Sequence, residues 1–476
     1  MSTVVHTTIP GLSVAGRLNR LPVTRVHKRI ISIIALGTFF EIYELFLSGV
    51  LATTLSTQFG LDGTGLALVL ASPFIGAFLG AALVGPVADR LGRRKAYMIT
   101  LGIYSVATVV AAFSPNVWVL VACRFVAGIG LGGELPVTDS FLGDILPARR
   151  RGYFAAWAFT VAYMAVPLVG FLGLGMATAA PWGIDGWRWM FAFGALGAVI
   201  TFLVRRKLPE SPRWLESVGR AAEAEEITRM LEDAARSEGW NGVDADTGPA
   251  GPAPAAAVSE APRHPEVKPL PASALLRRPL VKRALLMALV WVLAVIGYHG
   301  FSVVATLALT QRGFTVTSSL LYTSLAFIGY PVGSYLSMLL MDRVERKLLL
   351  GASLALMAVL GLVYGNAQNP VVIVIVVFGF AFTVAANVMS NTTHIYQLEQ
   401  FPTSIRTTAT GWLYSLGRLS TAAAPFYLVP ILQNARSGAV FTVVGAACLI
   451  AATAVIVAGV RTTGLSLEEI SPEVRQ

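Results

Sequence analysis

Charge is scarce in this sequence. Only 13% of its 476 residues are Asp, Glu, Lys or Arg, 55% are hydrophobic, and the mean hydropathy is +0.68. A soluble domain carries about 25% charged residues, and a soluble chain of this length splits into several domains, each needing a polar coat. The shortage of charge excludes that organisation. Cysteine is nearly missing: Cys123 and Cys448 both lie in apolar runs, which leaves no disulfide framework and no C-x-x-C metal spacing. A phosphate-cradling G-x-x-x-x-G-K-S/T loop, a metal-ligand cluster and a triad-like set are also lacking. Direct ATP drive and enzyme classes are therefore not expected, and neither is a cofactor or a metal. The net charge of +10 would suit nucleic acid. The Lys and Arg residues instead gather at the ends of apolar segments, so no nucleic-acid partner is expected.

What is abundant is apolar sequence in spanning lengths. A bilayer-crossing helix needs about 20 mainly apolar residues. Twelve segments qualify: 30–55, 65–88, 96–114, 117–140, 152–175, 188–204, 284–309, 317–341, 347–366, 370–394, 405–429 and 438–460. Their connections alternate in charge. One set holds Arg25, Lys28, Arg29, Arg90, Arg93, Arg94, Lys95, Arg149 to Arg151, Arg205 to Lys207, Lys282, Arg283, Arg343, Arg346, Lys347 and Arg406. The other holds only Arg188, Arg312 and Arg436. The positive-inside rule makes the first set cytoplasmic, and both termini with it. The first segment is too long for a signal peptide and has no A-x-A cleavage site, so it is expected to be retained.

A charged cassette occurs twice. Ile75-Gly76 to Gly80 followed by Asp89-Arg90, Arg93 and Arg94 is matched 253 residues later by Ile328-Gly329 to Gly333, then Asp342-Arg343, Arg346 and Lys347. Asp144 to Pro147 with Arg151 is echoed by Glu399 to Pro402 with Arg406. Two mostly apolar copies point to a duplicated all-α membrane protein, with twelve helices in two six-helix halves related by a pseudo-two-fold axis along the membrane normal. The expected organisation is a tail (1–25), a first bundle (26–204), a cytoplasmic loop (205–283), a second bundle (284–460) and a tail (461–476). Within the loop, Pro212 to Gly239 reads as one amphipathic helix with Trp214, Leu215, Val218, Ile227, Met230 and Leu231 as its apolar set. Residues 248–272 are a Pro/Ala/Gly-rich linker.

Ionisable residues inside spanning segments are functional candidates by default. Glu41 and Glu44 stand 11 and 14 residues into the first segment, roughly 16–21 Å deep at 1.5 Å per residue, on a polar stripe with Thr38 and Ser48. Arg124 enters from the other side to about the level of Glu44, and Arg418 is central in the eleventh segment. One carboxylate is expected to pair with Arg124 and hold two helices in register, leaving the other to carry a proton. Further stripes hold Tyr298, Ser302 and Thr306 beside His299, and Thr383, Asn387 and Asn391 beside His394. Against a binding role stand a histidine bonded to a backbone carbonyl and Asn or Thr side chains acting as interhelical glue. Asp89, Arg93, Asp144, Arg151, Glu210, Arg213, Asp342, Arg346, Glu399 and Arg406 cluster at helix ends on the basic side. They read as topology signals, and together as a cytoplasmic gate that latches the two halves in one state.

Gly85-Pro-Val-Ala-Asp89-Arg90-Leu-Gly92-Arg93-Arg94-Lys95 resembles the signature loop of the major facilitator superfamily. Arg124-Phe-Val-Ala-Gly128-Ile-Gly130, Pro209-Glu210-Ser211-Pro212-Arg213-Trp214-Leu215 and Glu399-Gln-Phe-Pro402-Thr-Ser-Ile-Arg406 resemble its sugar-porter-like branch. Phe39-Phe40-Glu41-Ile-Tyr43-Glu44 is similar to the opening of aromatic-acid and nicotinate proton symporters, with Glu in place of the usual Asp at both acidic positions and Ile in place of Gly. The resemblance implies that the first, fourth, seventh and tenth helices line a central cavity. It implies a monomeric secondary transporter in a bacterial inner membrane, working by alternating access, with a small solute, a proton and the lipid bilayer as its partners. Two central arginines favour a carboxylate solute, bound through Arg124, Tyr298, His299, Ser302, Asn387, Asn391 and Arg418. A sugar or polyol transporter and a drug or organic-cation exporter are the alternatives. A non-transporting receptor on the same scaffold would carry a long folded cytoplasmic extension.

Overall fold

The computed structural model describes residues 14–241, 275, 277, 280–341, 343–367, 372–401, 405–435 and 437–462. Within them the chain is helical: α1 (Val14–Arg20), α2 (Arg25–Phe59), α3 (Gly63–Leu91), α4 (Arg93–Ala112), α5 (Val117–Ile145), α6 (Ala148–Tyr163), α7 (Ala165–Met176), α8 (Gly186–Arg205), α9 (Pro212–Ser217), α10 (Ala221–Ser237), α11 (Leu280–Gln311), α12 (Val316–Phe327), α13 (Gly329–Leu340), α14 (Arg346–Asn366), α15 (Val372–Gln400), α16 (Arg406–Asn434) and α17 (Ser437–Ala458). Eleven stretches among the described residues are long and apolar enough to cross a membrane. Beside them α16, 29 residues long, packs against α3 and α11. The chain is thus a multi-pass integral membrane protein.

Local chemistry sets the helix ends. Asp62, Asn116 and Thr315 cap α3, α5 and α12 by accepting backbone N–H groups at 2.6–3.1 Å, and Gly60 takes the left-handed conformation that closes α2. Two of the three arginines on the sparsely charged side are caps as well. Arg188 donates to the Ala112 carbonyl at the end of α4, and Arg312 donates to those of Tyr364 and Gly365 at the end of α14. Each places a cation on the negative end of a helix dipole. That accounts for their presence on a side otherwise poor in Lys and Arg; Arg436 lies outside the described residues.

Two expected single helices are interrupted, and proline is the reason. Pro167 has no N–H for the Tyr163 carbonyl and Pro331 has none for that of Phe327, so α6 stops before α7 at Met164 and α12 before α13 at Ile328. The broken pairs pack on one another, α6 on α13 and α7 on α12, with Thr160 donating to Ser334 at 3.2 Å. Glycine allows the closest helix contacts. A Cβ on Gly76, Gly80, Gly128 or Gly132 would strike main-chain atoms of the partner between α3 and α5, and Gly329 and Gly333 sit likewise on α15. The duplicated Gly-x-x-x-Gly thus does the same packing in both copies.

The basic end carries a small layer of its own. The segment expected as one helix over 212–239 is two, because Gly219 at φ +79° turns the chain between α9 and α10. Trp214, Leu215 and Leu231 are buried as expected, joined by Ala224 and Ala235, whereas Val218 and Met230 are exposed. The apolar partner is α1, whose Val14 and Leu18, with Leu21, complete the cluster. Arg17 fastens it, donating to Glu232 at 2.7 and 2.9 Å and to Glu225 at 2.5 Å. The hydrogen bond from Arg17 holds the Glu225 carboxyl below its ordinary value. A depressed carboxyl contributes stability above the unfolded pKa of about 4.3 and loses it as pH falls through the folded value. We therefore expect α1 to stay docked at pH 7 and to loosen only below pH ~4. Hydrogen bonds to charged groups contribute about 1.5–3 kcal/mol, so Arg17→Ala should speed amide exchange over residues 14–21 at least tenfold at pH 7. Unchanged exchange would show that the apolar contact alone suffices. The linker (248–272) and the two tails lie largely outside the described residues.

Candidate functional site

Six Glu and Arg side chains are buried in the spanning helices among the described residues: the carboxylates Glu41, Glu44 and Glu134, and the guanidiniums Arg124, Arg205 and Arg418, none more than 6% exposed. A lone buried charge is costly, so burial demands partners. Arg124 of α5 donates to the Glu44 carboxylate and, at 2.7 Å, to the Glu44 main-chain carbonyl, with Phe191 under its guanidinium at 5.4 Å. Glu44 is thus the carboxylate that joins α2 to α5. Arg205, the last residue of α8, meets Glu134 of α5 at 2.5 Å and covers the Tyr97 ring at 4.5 Å. Balance among the six is complete only when Glu41 on α2 is counted against Arg418 on α16, whose charges interact.

Around these two the walls are aromatic. Phe46 of α2 meets Tyr298, His299, Phe327 and Tyr330 with ring centroids 5.1–6.4 Å apart, and His299 also meets Phe74 at 5.1 Å. Tyr163 stacks on Tyr330 and interacts with Tyr298 and Ser390. Arg418 donates to the Tyr414 hydroxyl and lies over the Tyr414 ring at 4.8 Å. Trp291 is edge-on to both His394 and Tyr414 and donates to Gln397 at 2.7 Å. The arrangement can hold a flat or apolar solute body against rings while presenting a guanidinium and a carboxylate.

Other candidates are more tied down. Asn387 donates to the Tyr330 carbonyl at 2.6 Å, Asn391 to Ser337 at 2.7 Å and Ser334 at 3.3 Å, and Thr383 to the Ala326 carbonyl at 2.5 Å, so these α15 side chains fasten α12 and α13. Ser302 donates to the His299 carbonyl at 2.8 Å. At the basic end the expected charges pair in matching fashion. Arg93 faces Asp144 at 3.8 Å, and Arg346, 253 residues on, faces Glu399 at 2.9 Å. Each pair lies within its own copy of the repeat. Asp144 also accepts from Ser211 at 2.8 Å, Glu210 accepts from the backbone N–H groups of Arg94 and Ser211, and Arg213 donates to Asn19. The side chains of Asp89, Arg151 and Arg406, and all of Asp342, lie outside the described residues. Glu134 and Arg205 escaped the reading of the sequence. The signal was present, since Glu134 follows Arg124 by ten residues in one apolar run, but Arg205 looked like a loop cation at the end of its segment.

Comparison with known proteins decides the family. The model of the sugar (and other) transporter family matches residues 30–474. This chain belongs to that family, within the major facilitator superfamily. The transporter is 33% identical over 417 residues to YyaJ of Bacillus subtilis, a protein named for metabolite transport, covering 87% of this chain and 88% of the relative. It is 29% identical over 472 residues to the niacin transporter NiaP of Acinetobacter baylyi, covering 96% and 100%. In fold it resembles the xylose transporter XylE of E. coli in a partially occluded inward-open conformation, with a TM-score of 0.72 at 22% identity over 92% of this chain and 99% of that one. The chain is therefore a transporter and not an enzyme.

Proposed function

We propose that this transporter carries small organic monoanions together with protons, by alternating access of two six-helix halves across twelve spanning helices. In this reading the basic end faces the cytoplasm, as the positive-inside rule requires. Both described chain ends stand there: α1 docks beside α9 and α10, and Thr462 donates its N–H to Glu345 at 3.0 Å. The matched pairs Arg93–Asp144 and Arg346–Glu399 brace each half internally while the halves move.

The observation that carries the reading is the charge relation between Glu41 and Arg418. They belong to opposite copies of the repeat and complete the balance of the buried charges. A solute carboxylate binding Arg418 bidentately removes the counter-charge of Glu41. Glu41 must then take a proton or remain an uncompensated buried anion. Anion and proton thus load together. After both leave, Glu41 ionises and returns to Arg418, so the empty carrier is again neutral. Glu44, held by Arg124, keeps its structural post throughout.

The test is uptake into proteoliposomes under an inward proton gradient, with labelled benzoate and nicotinate as anionic probes and xylose as the neutral one. Accumulation of a carboxylate above equilibrium, abolished by a protonophore, is expected. Accumulation of xylose with no response to either carboxylate would replace this reading by that of a sugar symporter, which the family and the XylE-like fold also fit.

A further inference from the structure

The second buried ion pair has no part in the scheme above, yet it touches the helix that carries the proton site. Gly37, Glu41, Glu44 and Ser48 follow one another at helical spacing on a single stripe of α2. The Arg205 guanidinium occupies the notch where Gly37 lacks a side chain, so that a Cβ there would collide with its Nη2, Cζ and Nε atoms. Glu134 on α5 holds that guanidinium from one side at 2.5 Å, and the Tyr97 ring on α4 supports its face. Tyr97 is itself fixed by donating to Thr138 on α5 at 2.9 Å. The stripe of α2 is therefore gripped at two levels, by Arg124 at Glu44 and by Arg205 at Gly37, about 10 Å apart at 1.5 Å per residue. Glu41 lies between the grips, one turn from each.

We propose that Glu134 and Arg205 are positioning residues for proton binding: the pair wedges a fixed positive charge against α2 at Gly37 and so sets both the register of Glu41 and the ease with which it ionises. The inference rests on Glu41 as the titrating carboxylate but not on any choice of solute. The other charged and titratable groups around Glu41 include Arg418 on α16, Tyr163 on α6, Tyr298 and His299 on α11, Tyr43 and Glu44 on α2 itself, Arg124 on α5, and Tyr104 on α4, whose hydroxyl donates to the Phe40 carbonyl at 3.4 Å. The sequence of α7 contains none, and those of α3 and α10 lie at the basic end.

The experiment reads Glu41 without a solute. Dicyclohexylcarbodiimide modifies protonated carboxyls in apolar surroundings, and fragmentation mass spectrometry locates the adduct. The pH midpoint of Glu41 modification is measured in detergent-purified full-length protein, with the melting temperature as a check on folding. Glu134→Gln leaves the Arg205 charge uncompensated, which favours ionised Glu41. Its midpoint should fall by roughly one pH unit, the effect of a unit charge ~10 Å away at an effective dielectric near 20. Glu134→Asp keeps the charge and should stay at the wild-type midpoint. Gly37→Ala keeps both charges but fills the notch and drives the guanidinium off. Alanine is the better helix former, so the protein should fold, and its midpoint should rise. If Glu134→Gln does not fold, Gly37→Ala decides alone. A wild-type midpoint in folded Gly37→Ala overturns the inference, whatever benzoate uptake shows.

Discussion

Glu41→Gln is expected to abolish accumulation of a carboxylate solute under a proton gradient while leaving counterflow, the exchange of labelled for unlabelled solute across a loaded membrane. A glutamine keeps the volume and the neutral state of the protonated acid, so the loaded carrier still forms and still crosses. What it cannot do is release the proton and let Arg418 regain a counter-charge. The empty carrier then returns with an uncompensated buried guanidinium, and the cost of breaking a buried pair by removing one partner is about 3–5 kcal/mol. At 1.4 kcal/mol per tenfold, net uptake should fall by at least a hundredfold while exchange stays within a few-fold of wild type. Equal loss of both would make Glu41 a solute-binding or folding residue. Full gradient-driven accumulation would remove it from the proton path.

Arg418→Ala is expected to have the other large effect, on binding. A desolvated charge pair between the solute and a guanidinium costs about 2–5 kcal/mol to truncate, or a thirty- to several-thousand-fold weakening of carboxylate affinity. Neutral analogues such as nicotinamide should bind the wild type poorly and bind the variant no worse. Ligand-dependent melting temperature reports both, because a ligand that binds the folded state raises it by mass action. If benzoate stabilises Arg418→Ala as much as the wild type, the anion site is elsewhere, and Arg124 becomes the candidate despite its engagement with Glu44.

The global plan was legible because a bilayer leaves few choices. Segment lengths follow from burying backbone polar groups in lipid, the alternation of Lys and Arg from the side each connection faces and the 253-residue repeat from duplication of one unit, and each expected segment meets a helix. The interruptions at Met164 and Ile328 were written in Pro167 and Pro331, which a count of apolar residues does not weigh. Pairing was legible only in part. The sequence placed Glu41, Glu44 and Arg124 at compatible depths, but helix rotation decides that Glu44 and not Glu41 meets Arg124. Arg205 was hidden by its position: the last residue of a spanning segment reads as a loop cation, and only the Gly37 notch on a helix some 170 positions away turns it inward. Asn387 and Asn391 show the reverse case, in which residues on a promising polar stripe are used to hold neighbouring helices.

The proline interruptions bear on how such a molecule deforms. An unbroken helix resists bending because every backbone hydrogen bond along its length must stretch together. At residues 163–167 and 327–331 one rung of that ladder is already missing, so a change of tilt there ruptures nothing. Both soft points sit in helices that touch each other, and beside each is an aromatic ring of the central cluster, Tyr163 or Phe327 and Tyr330. These two joints thus adjoin rings of the aromatic cluster between Glu41 and Arg418, and flexing them would swing those rings while the glycine-locked contact of α3 with α5 stays as it is.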